Sequence, residues 1–254
     1  MSLSFRQSDI LDIASIEGRV TVEGLAERFG VTVQTIRRDL TELADAGKLD
    51  RVHGGAILRS GVSNIGYDDR RTLNADAKTR IAQTCASDIP DGASIFMNIG
   101  TSTEAVARQL LSHKNLMVVT NNMNVANILI ENPDCEIVVA GGVLRRSDGG
   151  LIGNLTVSTI QQFKFDLAVI GCSALDRDGD LLDFDFQEVQ VSQTIIAQAR
   201  RTFLVADHSK FQRSAPARIT SMSEIDRIYT DVHLPGDLPQ HCREWRTEVI
   251  LCAQ

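Results

Sequence analysis

Thr32, Gln34, Thr35, Arg37 and Arg38 crowd into one short run, and all are residue types that read base edges or hold phosphates. Arginine offers paired donors to a guanine edge and glutamine a donor and an acceptor to an adenine edge, while threonine hydroxyls and further guanidinium groups suit backbone phosphates. Arg51 and His53 follow, just before a Gly54-Gly55 pair. A second set of chemistry-bearing residues spreads over the rest of the chain. Asn98-Ile99-Gly100-Thr101-Ser102-Thr103 joins a glycine to three hydroxyls, and Asn121-Asn122, Gly141-Gly142, Arg145, Gly149-Gly150, Asp185, Glu188 and Lys210 come after it. Hydroxyls, glycine and cations at the start of a helix can cradle a phosphate, because open N–H groups and the helix dipole both favour an anion there.

The first set needs a helix that turns these side chains outward. Residues 8–17 place Ile10, Ile13 and Ala14 on one helical face, with Gly18 as the stop. Thr21 suits the N-cap of a second helix buried through Leu25, Ala26 and Phe29, and Gly30 ends it. Thr32 caps a third helix, whose apolar stripe Val33, Ile36, Leu40 and Leu43 is closed off by Gly47. Two short helices joined at Gly30 make a helix-turn-helix, with the second presenting Gln34, Thr35, Arg37 and Arg38. Arg51 to Leu58 then reads as a hairpin around a Gly-Gly turn, a wing that aims Arg51 and His53 at a phosphate.

Overall charge argues the other way: 26 Lys and Arg against 33 Asp and Glu give a net of −7. Residues 1–60 alone hold eight bases and nine acids. DNA binding therefore rests on local placement, and the acids fall mostly on the other helices while Arg37, Arg38 and Arg51 share one face. The run Thr35-Ile36-Arg37-Arg38-Asp39-Leu40 followed by His53-Gly54-Gly55-Ala56 resembles the signature of the DeoR family of bacterial repressors. The resemblance implies a winged helix in the major groove, with Thr32, Gln34, Thr35, Arg37 and Arg38 as contacts to operator DNA.

The second set needs strands that end in loops. Arg59 to Tyr67 loses periodicity, which sets the expected organisation: a DNA-binding domain at 1–58, a linker at 59–74 and a large domain at 75–254. From Ala75, helices and short apolar strands alternate: strands at Ser94–Ile99, Met117–Thr120, Glu136–Ala140, Leu167–Gly171, Thr202–Ala206 and Arg227–Thr230. The fold class is α/β, a winged helix-turn-helix followed by a Rossmann-like parallel sheet with helices on both faces. Such sheets bind ligands at the carboxyl ends of their strands, where the glycines, asparagines and hydroxyls fall, together with Asp207-His208-Ser209-Lys210. These loops suggest a pocket for a sugar phosphate or polyol phosphate.

Gly100-Thr101-Ser102-Thr103 and Asp207-x-Ser209-Lys210 also resemble the effector domain of the same family, itself similar to ribose-5-phosphate isomerase. Further likeness in residues 121–127, 145–153, 184–189 and 207–211 implies glycerol 3-phosphate as the effector. The family usually carries Asp where this chain has Asn98. Two alternatives remain, a repressor of another sugar-phosphate pathway and a sugar-phosphate isomerase. The isomerase needs a carboxylate base and a proton donor. By alignment order Gly171 to Leu175 and Phe184 to Gln187 stand where the isomerase family keeps its acidic loop and its lysine loop, so binding without turnover is expected.

The five cysteines and five histidines show no C-x-x-C and no ligand spacing, so neither a metal nor a cofactor is expected. Hydrophobic residues at 43% and charged residues at 23% exclude disorder and fibrous repeats. The chain has no membrane-length apolar run and starts without an apolar leader, so a cytoplasmic protein is expected. A repressor with one winged helix per chain is expected to pair, as a dimer or tetramer, on matched half-sites.

Overall fold

A computed structural model describes residues 4–17, 19–58 and 66–252, and the chain divides into two units, Met1–Leu73 and Asn74–Gln254. The first holds α1 (Phe5–Glu17), β1 (Arg19–Thr21), α2 (Val22–Phe29), α3 (Val33–Asp45), β2 (Leu49–Val52), β3 (Gly55–Leu58) and α4 (Tyr67–Thr72). Ile10, Ile13 and Ala14 of α1 pack with Leu25 and Ala26 of α2 and with Ile36, Leu40 and Leu43 of α3. Both expected caps form: the hydroxyl of Thr21 accepts from the Gly24 N–H and that of Thr32 from the Thr35 N–H. Gly30 takes φ 61°, the left-handed conformation that turns the chain between α2 and α3.

Three details differ from the expectation. Val33 is 36% exposed and not part of the core, because as the first residue of α3 it precedes the turn at which Ile36 reaches the packed face. The hairpin turns at His53-Gly54 rather than Gly-Gly, with Gly54 at φ 74° and Gly55 already inside β3. Gly55 answers a close approach instead: β3 also pairs with β1, giving the order β1-β3-β2, and a Cβ at 55 would run into the Val20 carbonyl oxygen. The expected linker also contains structure, since residues 67–72 form α4. That helix buries no residue, so no apolar spacing could announce it. Gly18 and residues 59–65 lie outside the described residues.

The second unit runs α5 (Ala75–Ser87), β4 (Ser94–Met97), α6 (Thr101–Gln109), β5 (Leu116–Thr120), α7 (Met123–Leu129), β6 (Cys135–Val139), β7 (Val143–Arg145), β8 (Gly150–Ile152), α8 (Asn154–Ile160) and β9 (Leu167–Ile170). It continues through β10 (Ala174–Leu175), β11 (Asp180–Asp183), α9 (Phe186–Gln198), β12 (Thr202–Val205), β13 (Ala217–Ser221), β14 (Arg227–Thr230), α10 (Leu238–Trp245) and β15 (Glu248–Leu251). Seven strands form one parallel sheet in the order β15-β14-β12-β9-β4-β5-β6. Its residues alternate between two buried faces: Ile95, Met97, Val118, Val169 and Phe203 face one helix layer, while Phe96, Val119, Ala168, Ile170 and Leu204 face the other. Burial on both sides explains why these strands read as continuous apolar runs. The β7–β8 hairpin, the small antiparallel sheet β10-β11-β13 and the edge strand β15 are additions that short, irregular segments did not reveal. No described helix is long and apolar enough to cross a membrane.

Candidate functional site

In the first unit, α3 projects Gln34, Arg37 and Arg38 into solvent, with Thr35 half-buried beside its cap partner Thr32. Arg38 keeps 83% of its side chain exposed while its Nε donates to Glu42 at 2.9 Å. Gln7 of α1 donates to the other oxygen of Glu42 at 2.7 Å, and Arg6 grips the buried Asp39 through both oxygens. These contacts fix the roll of α3 against α1, so the outward residues hold their direction. His53 stands exposed at the hairpin tip. Arg51 on β2 is half-buried, and its Nη1 finds no hydrogen-bond partner among the described residues. Burial and, after it, the charge of nearby Arg37 lower its pKa. Two guanidinium groups are thus held close, one with an unanswered donor. A DNA phosphate is the kind of acceptor that would answer it.

In the second unit, β5 and β6 lie to one side of β4, and β9, β12, β14 and β15 to the other. The direction of winding reverses between β4 and β9, where a doubly wound sheet opens its ligand crevice. Asn98 follows β4 and is buried. Its amide donates to Ser192 of α9 at 2.9 Å, and its carbonyl oxygen accepts from the Ile99 N–H. Gly100 occupies the N-cap of α6 without a side-chain cap bond, so Thr101 and Ser102 open the helix on backbone N–H groups. The Thr103 hydroxyl is spent on the Asn98 and Gly100 carbonyls at 2.7 Å each, and shapes the loop.

The β7–β8 hairpin docks on these strand ends. Asn121 donates to the Leu151 carbonyl at 3.1 Å, while its own Oδ1 is buried without a partner among the described residues. Asn122 caps α7, Gly141 and Gly142 follow β6, and Gly149-Gly150 lie against Asn124 and Ile99. Arg145, at the end of β7, meets three carboxylates: Asp148 through both oxygens at 2.9 and 2.7 Å, Glu188 at 2.6 Å, and Asp185. Burial opposes its charge, but Asp148 and Glu188 outweigh that and raise its pKa. Arg145 is thus enclosed by carboxylates.

Lys210 lies in a short 3-10 helix after β12 and is 9% exposed. Beside it, Asp207 is buried. Desolvation pushes its pKa up, but Lys210, the Ser209 side chain, Lys78 and the Asn74 amide together hold it at about 2. The site is electrically uneven: Lys210 and Lys78 face one carboxylate near β12, while one guanidinium faces three carboxylates near β4, β5 and α9. Glu104, Ser192, Lys78 and Asn74 escaped the sequence reading. Glu104 is buried and takes amide donors from both Asn122 and Asn124, a pairing that the Asn-x-Asn spacing could have suggested.

Comparison with known proteins agrees with both halves. Residues 6–61 match the DeoR-like helix-turn-helix domain and residues 73–232 the DeoR C terminal sensor domain. The chain is 44% identical over 252 residues to the glycerol-3-phosphate regulon repressor of Escherichia coli (strain K12), covering 99% of this chain and 100% of that one. It is also 44% identical over 256 residues to the protein of that name from Haemophilus influenzae, covering 99% and 98%. The HTH-type transcriptional repressor CsqR of E. coli is 37% identical over 246 residues, covering 97% of this chain and 94% of that one. Among solved structures, a ribose-5-phosphate isomerase in complex with phospho-erythronic acid overlaps 54% of each chain at TM-score 0.41 and 17% identity. On the domain matches and the full-length identities, the chain belongs to the DeoR family of transcriptional repressors.

Proposed function

We propose that this repressor controls genes for glycerol or glycerol 3-phosphate use, and that glycerol 3-phosphate bound at the strand-end site releases it from operator DNA. Full-length identity of 44% to two relatives named for the glycerol-3-phosphate regulon carries the pathway. The charge layout supports the ligand class. Lys210, Lys78 and the opening turn of α6 suit a phosphate, and the carboxylates around Arg145, with Asn121 Oδ1, suit hydroxyl donors. In this reading residues 1–58 bind DNA, 59–74 connect and 75–254 sense the effector and pair the chains in the cytoplasm. Release requires the effector to favour one of two states by about 1–3 kcal/mol.

The sensor reading is preferred to an isomerase on a further observation. A buried carboxylate beside the Gly171-Cys172-Ser173 loop, Asp183, accepts from the Ser173 hydroxyl and from the N–H groups of Phe184 and Asp185. Burial pushes the Cys172 thiol up to about 12, despite Lys210. Neither group is poised to move a proton between carbons. The test is operator binding by fluorescence anisotropy with increasing glycerol 3-phosphate. Lys210→Ala removes a charge-assisted contact, so release should require about ten- to a hundredfold more ligand. Release at the wild-type concentration would move the phosphate elsewhere, and turnover of triose or pentose phosphates would favour the isomerase.

A further inference from the structure

The boundary between the two units falls at a residue with unusual geometry. Asn74 is the first residue of the sensing unit and stands at the N-cap of α5, yet it takes neither of the ordinary capping features. A capping residue normally adopts extended φ/ψ and turns its side-chain oxygen onto the first N–H groups of the helix. Asn74 instead lies in the left-handed region, φ 54° and ψ 37°, and makes no side-chain cap bond. Asparagine tolerates that region better than most side chains, though less readily than glycine. Its amide is turned away from α5 and donates to Asp207 Oδ1 at 2.7 Å, 133 residues along the chain. One turn further on, Lys78 is buried and adds its charge to the same carboxylate. The opening turn of α5 is thus shaped around Asp207.

Asp207 is also the residue whose carboxylate faces Lys210 and receives the Ser209 N–H. Any anion that engages Lys210 changes what surrounds Asp207, because the lysine's charge is then shared between two acceptors. We infer that Asn74 is the coupling residue of the switch: through its bond to Asp207, occupancy of the Lys210 loop alters the start of α5, to which the preceding unit is joined directly through Leu73. The inference rests on the reading of Lys210 as the phosphate contact. Asn74 itself touches neither effector nor DNA; it positions the end of the connection according to the state of Asp207.

The decisive variant is Asn74→Gly, which keeps the left-handed backbone accessible and deletes only the amide. Asn74→Asp is the second, since it preserves side-chain size and replaces the donor with a carboxylate facing Asp207. Three quantities are measured on the full chain: glycerol 3-phosphate binding by calorimetry, operator affinity without it, and operator affinity at saturating ligand. Asn74→Gly should bind ligand and unliganded operator within about threefold of wild type, while the ligand-induced drop in operator affinity shrinks about tenfold or more. Asn74→Asp should show the same reduced drop at saturation but bind the anionic ligand more weakly, because its carboxylate competes for Lys210 and Lys78. In wild type, amide hydrogen exchange over residues 66–78 should respond to the ligand, and in Asn74→Gly that response should vanish. An unchanged ligand-induced drop, or unchanged exchange response, overturns the coupling role. Loss of ligand binding in Asn74→Gly also overturns it, making Asn74 part of the pocket. A wild-type chain that binds no glycerol 3-phosphate fails at the effector reading instead, and the inference falls with it.

Discussion

The two halves of the molecule treat arginine in opposite ways. On the winged helix, Arg38 is largely exposed and Arg51 carries a buried nitrogen with no acceptor among the described residues. At the strand ends, Arg145 is wrapped by Asp148, Asp185 and Glu188. The first arrangement leaves its energy to be gained from another molecule; the second has already spent it inside the fold. The guanidinium group is the same in both, so only surroundings distinguish a binding cation from an organising one. Removing an organising arginine should cost stability, and removing a binding one should cost affinity.

The largest effect is expected at Arg145. Arg145→Met leaves three carboxylates facing one another, one of them on the buried Asp148. Breaking a buried pair costs 3–5 kcal/mol, and with Arg145 20% exposed the low end, about 3 kcal/mol, applies. In a unit of this size the melting temperature should fall by roughly 6–12 °C. An unchanged melting curve would mean that the three acids relax freely into water, and the contrast between the regions would collapse.

Asp207 tests the same idea by pH. Its folded pKa of about 2 lies below the ordinary 3.8, so its contribution is present in full above about pH 4 and is lost as the pH falls towards 2. The shift corresponds to about 2 kcal/mol. Urea denaturation should show wild type losing about two thirds of that increment between about pH 5 and pH 2.5, while Asp207→Asn changes less over the same interval. Parallel losses in both proteins would place the acid sensitivity in other carboxylates.

The smallest effect is the sharpest for the contrast. Arg51→Met should weaken operator binding by about 1–2 kcal/mol, or five- to thirtyfold. It should leave the melting temperature unchanged or raise it, because a desolvated donor without a partner is removed. A fall in melting temperature with full DNA affinity would class Arg51 with Arg145.

What could be read from residue order divides along similar lines. Thr21, Gly30 and Thr32 announce the helix-turn-helix because caps and left-handed turns depend on neighbours within four positions. The central strands announce themselves because burial on both faces makes them apolar throughout. Arg145 could be placed near a strand end, but two of its three partners lie 40 and 43 residues away, and no local spacing encodes them. Val33 fits a core stripe by number and misses it by position, one turn before the helices cross. Glu104 follows the glycine–hydroxyl run, but its partners Asn122 and Asn124 stand 18 and 20 residues away, so only their own Asn-x-Asn spacing hints at the contact.

The place of β4 at the middle of its sheet has a consequence for synthesis on the ribosome. The first strand of the sensing unit to emerge pairs with β5 on one side and must wait for β9 on the other. Lys210 emerges later still, after β12. A winged helix ending at residue 58 is complete about 150 residues before Lys210 emerges, a delay of roughly 8–30 s at ordinary elongation rates. With Lys210 as the proposed phosphate contact, the nascent chain would carry a folded DNA-binding face during that interval before it could sense an effector.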